Sequence, residues 1–90
     1  MSNDITINLS RSNASTFKTI LADDLEYYRA GLELLKKLDA VDDKEFGNAL
    51  READCPLSWT REDVKIRIEN TNKVVETFED VINQIEKTLD

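Results

Sequence analysis

The sequence predicts an all-α fold: a small helical bundle of two long antiparallel helices and one short connecting helix, with an extended N-terminal arm. Three observations carry this. First, between residues 60 and 89 Val64, Ile68, Thr71, Val75, Phe78, Ile82, Ile85 and Leu89 recur in alternating steps of four and three, with Thr71 the one polar member. That spacing keeps side chains on one face of a helix, and the face must be covered by something. Second, Phe17, Leu21, Leu25, Tyr28, Leu32, Leu35 and Leu38 form a comparable stripe earlier in the chain. Third, two glycines and one proline in 90 residues are too few for the turns of a sandwich or barrel, and 40% hydrophobic residues are too many for a disordered chain. Ninety residues make one domain, near the lower limit for a self-sufficient core.

Residues 1–13 read as the arm. Ile5, Ile7 and Leu9 alternate with Thr6, Asn8 and Ser10, the period of a strand with one apolar face, and Ser10 to Asn13 supply helix-start chemistry. The helical domain, residues 14–90, follows. Its first helix is expected over about 14–39, with Ile20, Tyr27 and Leu34 widening the main stripe; Gly31 inside it costs roughly 1 kcal/mol relative to alanine and reads equally as a point of close approach for another helix or as a tolerated weak spot. A second helix is expected over about 43–53. Asp42 serves as its N-cap, Glu45 sits three residues later, and Phe46, Ala49, Leu50 and Ala53 face inward. Pro56 disfavours helical geometry at Cys55 and ends it. The third helix is expected over about 61–89, capped by Thr60 with Asp63 answering, and with Trp59 packed on Val64. Because the second helix is about a third as long as the others, one side of the long seam is expected to stay uncovered.

Charge and residue types narrow the function. The net charge is −7, from 12 Lys and Arg against 19 Asp and Glu, spread evenly over both halves, so a nonspecific hold on a phosphate backbone is not expected. Cys55 is the single cysteine, and no stretch approaches the roughly 18 apolar residues of a membrane span; with no apolar leader, a cytoplasmic location is expected. Asn8 and Asn13 match the glycosylation pattern, read as incidental to a Ser/Asn-rich tract.

Catalysis finds little support: the carboxylates Asp23, Asp24 and Glu26 beside Tyr27 and Tyr28 are the one acid/base candidate, and adjacent carboxylates on a helix surface usually mark a solvated face. Histidine is absent, no glycine-rich phosphate loop occurs, and Cys55 beside Pro56 reads as a buried filler. Asp39, Asp42, Asp43 and Glu45 lack the spacing of a calcium loop. Neither an enzyme activity nor a cofactor or metal is expected. The candidate binding residues are instead the acidic back of the third helix (Glu76, Glu79, Asp80 and Glu86, with Asp90 beyond) together with Asp23, Asp24 and Tyr27. The plain alternative for each is a solvated helix face. Trp59 and Tyr28 are further aromatic anchors of the type that dominates interfaces.

The leading reading is a non-catalytic, acidic protein-binding module: an inhibitor, an antitoxin or immunity-type protein, or an adaptor on a basic protein surface, working as a homodimer. Two alternatives stand beside it. Ile5-Thr6-Ile7-Asn8-Leu9-Ser10 followed by helices resembles the ribbon-helix-helix regulators, which implies a dimer reading DNA through Thr6, Asn8 and Ser10. The pattern departs from that family in lacking a turn within residues 14–39 and in having Arg11 as the only basic residue before Lys18. The third reading is a structural coiled-coil assembly component; the Trp-x-Gly turn of small secreted helical hairpins is replaced here by Trp59-Thr60-Arg61.

Overall fold

A computed structural model describes residues 8–89 and contains three helices, α1 (Arg11–Ala40), α2 (Asp43–Glu52) and α3 (Arg61–Leu89). No strand occurs among the described residues. Ile5, Thr6 and Ile7 of the expected arm, and Asp90, lie outside them.

The arm is shorter than expected at its helical end. Ser10 is extended, and its Oγ accepts a hydrogen bond from the Asn13 backbone N–H at 3.1 Å, so α1 starts at Arg11 rather than near residue 14. A serine that satisfies one of the four free N–H groups of a first turn is a good N-cap. The tract read as the end of the arm is therefore the first turn of the helix. The extra turn buries Ala14 and places Arg11 where its guanidinium donates to the carbonyl oxygen of Leu89, a free carbonyl at the C-terminus of α3.

The long helices run antiparallel, as their contacts show. Ala14 and Leu21 pack with Ile85, Leu25 and Leu32 with Val75, and Leu38 with Val64, so numbers rise along α1 as they fall along α3. Phe78 and Ile82 pack against both of the first two clusters, which makes the seam continuous. The third cluster joins all three helices. Leu50 of α2 (1% exposed) meets Val64 (0%) and Leu38, flanked by Leu35, Phe46, Ala49 and Trp59. Fully burying a side chain of this size is worth about 1.5–3 kcal/mol, so the fold is anchored most strongly where α2 closes the turn end of the hairpin. Every residue of the α3 stripe, Thr71 included, is buried or half-buried.

Local chemistry fixes the bends. At the start of α3, Thr60 Oγ1 accepts from the Asp63 N–H at 3.1 Å and Asp63 Oδ2 accepts from the Thr60 N–H at 2.9 Å, a reciprocal capping box. At α2 the expectation fails in one respect: Asp42 holds the N-cap position but its side chain makes no capping bond, and only its carbonyl accepts, from Glu45 N–H at 3.0 Å. Negative charge on Asp42, Asp43 and Glu45 still suits the positive end of the helix dipole. The end of α2 is set by geometry that composition did not reveal. Cys55 N–H donates to Leu50 O at 2.9 Å and Asp54 N–H to Arg51 O at 3.1 Å, with Asp54 at φ 57°. This is the Schellman arrangement, in which the residue past the helix turns left-handed, a place usually taken by glycine.

Candidate functional site

Within α1 the structure separates the two apolar sets that the sequence joined. Leu21, Leu25, Leu32 and Leu38 are buried, whereas Ile20, Tyr27 and Leu34, expected to widen the seam, are 52%, 76% and 40% exposed. Phe17 and Tyr28 are each about one third exposed, at 36%. Phe17, Ile20, Asp24, Tyr27, Gly31 and Leu34 thus form a second set with three- and four-residue spacing, rotated about 100° from the buried one. This set has no packing partner among the described residues of the buried clusters. The Cβ that alanine would carry at Gly31 meets nothing within 4 Å among the described residues, so neither α2 nor α3 uses the close approach glycine allows.

Helical geometry puts half-buried Val74, Phe78 and Val81 of α3 on the same side of the hairpin. Tyr28 bridges the two helices there by an edge-to-face contact with Phe78, ring centroids 5.5 Å apart, and Tyr27 stands edge-on to Tyr28 at 5.6 Å. Of the two tyrosines, Tyr27 is the one turned to solvent. Helix α2 covers this side only at the turn end, beside Leu38. Its edge leaves a shallow groove of about 260 Å³ lined by apolar side chains of both helices, Leu34, Leu38, Val41, Ala49 and Ala53, with Lys37 and Glu52 also on its wall. This exposed face, with Asp24 inside it, is the candidate site.

The acidic candidates fall elsewhere. Glu79 pairs with Arg29 at 3.3 Å and Glu86 with Lys18 at 3.1 Å, both across the seam on the side opposite the open face. Asp80 accepts from Gln84 Nε2 at 3.1 Å, and Glu76 is exposed. These pairs are roughly half exposed, so each contributes about 0–1 kcal/mol and its carboxylate stays hydrated. The seven candidate residues therefore split: Asp23, Asp24 and Tyr27 border the open apolar face, and Glu76, Glu79, Asp80 and Glu86 form a separate acidic band.

Other singled-out residues have structural employment. Asp39 and Asp43 hold Arg61, and among the described residues no group of three or more His, Cys, Asp or Glu is placed to hold a metal. Cys55 is half-buried against the three-helix cluster with its Sγ 3.7 Å from Ala53 O. Trp59 packs on the cluster containing Val64, as expected, and the Arg67 guanidinium covers its outer face at 4.1 Å from the ring centroid.

Sequence reasoning missed the most connected polar side chain. Arg61 donates through Nη1 to Asp39 O and through Nη2 to Val41 O, both at 2.6 Å, reaches Asp43 Oδ1 at 3.1 Å, and lies 4.9 Å over the Phe46 ring. It ties the end of α1, the α1–α2 turn and the start of α2 to the start of α3. Its partners lie 18 to 22 residues upstream, and no local pattern links them. In comparisons with known proteins, no family model, no curated protein and no solved structure matches this chain. No described helix is long and apolar enough to cross a membrane.

Proposed function

We propose that this chain is a non-catalytic protein-binding module of the inhibitor, antitoxin or immunity, or adaptor kind, acting in the cytoplasm as a homodimer on a basic protein surface. The observation that carries the reading is the open apolar face of α1, where Ile20, Tyr27 and Leu34 stand exposed along about four turns of one helix. Aromatic and aliphatic anchors on a rigid helix are the usual energetic centre of a protein interface. The net charge of −7 and the separate acidic band from Glu76 to Glu86 favour a positively charged partner and would speed its approach.

The test compares three immobilised proteins in host extract: the wild type, Ile20→Ser with Tyr27→Ser, and Glu76→Lys with Asp80→Lys, each first shown to be folded by circular dichroism. A basic protein retained by the wild type, lost from a variant, and bound by the purified wild type in titration calorimetry supports the reading. Identical protein sets on all three surfaces overturn it.

A further inference from the structure

We infer that the open face of α1 is closed by a second copy of this chain, docked antiparallel on α1 about a two-fold axis near residue 29. This rests on the homodimer reading above and names its surface and register. Two features of the face select that register together. The first is charge. Asp23 and Lys37 are exposed residues that flank the apolar set on the same edge of the helix, two heptads apart. In an antiparallel pair such edge positions face each other across the seam, and residues whose numbers add to about 58–60 are opposite when the axis lies near residue 29. Asp23 then meets the partner's Lys37, and symmetry repeats the pair. A parallel alignment in register would put these positions against unlike neighbours with no such match.

The second feature is shape. In the same register Tyr27, 76% exposed, falls opposite the partner's Gly31, where neither α2 nor α3 comes within 4 Å of a would-be Cβ. Large meets small twice, once on each side of the axis. Further out, Ile20 and Phe17 fall over the partner's groove of about 260 Å³ between α1 and α2, whose rim carries Leu34 and half-buried Val41 and whose floor is the buried Leu38. The seam drifts about 20° per heptad around a straight helix, which carries it from Phe17 toward that groove rather than into the body of α2. An end of the face that has apolar side chains and no cover thus meets an end that has a cavity.

Asp24 is the exception within the face. It falls opposite the partner's Leu34, and a polar residue in a helix seam weakens association while limiting alternative alignments. The contact, from residue 17 to 41, is about 36 Å long and about 10–12 Å wide, a footprint of roughly 400 Å² on each copy. That size suits a reversible dimer with a dissociation constant on the order of micromolar rather than an obligate one.

Sedimentation equilibrium on Asp23→Lys, on Lys37→Glu, and on their equimolar mixture tests the register, with circular dichroism confirming that both surface variants fold. The wild type should dimerise reversibly. Each variant alone puts like charges opposite each other twice and should dimerise about tenfold more weakly, whereas the mixture restores both pairs and should form a heterodimer at least as tight as the wild type. A wild-type chain that remains monomeric throughout the micromolar range overturns both the homodimer reading and this inference. A wild-type dimer indifferent to both reversals overturns only the register. A monomer whose residues 17–34 gain hydrogen-exchange protection only when a basic foreign protein is added overturns the second copy as the occupant.

Discussion

Replacing Arg61 with alanine should cost about 2–4 kcal/mol of folding stability. The magnitude follows from what the guanidinium holds. Its two bonds to the carbonyls of Asp39 and Val41, each 2.6 Å, are charge-assisted and are worth about 1.5–3 kcal/mol apiece when shielded. The side chain is 27% exposed, which argues for the lower part of that range. Stacking on Phe46 adds about 0.5–1 kcal/mol. The ion pair with Asp43 adds little, because that carboxylate is 97% exposed. For 90 residues the total stability is about 4–13 kcal/mol, so the loss is a large fraction of it. Urea and thermal unfolding followed by far-ultraviolet circular dichroism, at a protein concentration below that of the proposed dimer, are the assays; the urea midpoint should fall, and Tm by roughly 10–25 °C. Arg61→Lys keeps the charge, but one ammonium cannot reach both carbonyls in the guanidinium's fork, and it should lose about 1–2 kcal/mol. Arg61→Met keeps the stem and should behave like the alanine variant. If Arg61→Ala lies within about 0.5 kcal/mol of wild type, the clamp contributes nothing and the packing of Leu38, Leu50 and Val64 alone sets the bend.

Substitutions at three further positions probe the fold. Asp54 sits at φ 57°, so Asp54→Gly should stabilise by about 0.5–1 kcal/mol and Asp54→Val should destabilise by more, read as the urea midpoint; a loss of stability on introducing glycine contradicts the Schellman assignment. Thr60→Ala removes one half of the capping box and should cost about 1–2 kcal/mol, with hydrogen exchange quickening first in the opening turn of α3. Phe78→Asp places a charge where two core clusters and Tyr28 meet, and should abolish the cooperative thermal transition; an unchanged transition would mean that Phe78 is not part of the core.

The sequence by itself determined which elements form and where most of them start. Alternating steps of four and three permit only a helix over residues 64–89, and the Thr60–Asp63 capping box is readable because both partners lie within one turn. The inward residues of α2 were legible for the same reason: Phe46, Ala49, Leu50 and Ala53 repeat at helical spacing. At the start of α1, Ser10 belonged both to the alternating strand pattern and to the helix-start tract Ser10 to Asn13. The capping bond between Ser10 and Asn13 decided it.

Tertiary structure decided what lies outside the reach of one turn. The α1 stripe looked like one broad apolar surface until α3, a single helix, covered only part of it and left Ile20, Tyr27 and Leu34 in solvent. The acidic candidates looked like one site until pairing across the seam took Glu79 and Glu86 to Arg29 and Lys18, away from Asp23 and Asp24. Arg61 looked like one charge among many, because its three backbone and carboxylate partners are brought to it only when the chain turns twice. Helical periodicity records that a face must be buried; which part of it remains open depends on the width and length of the elements that pack against it.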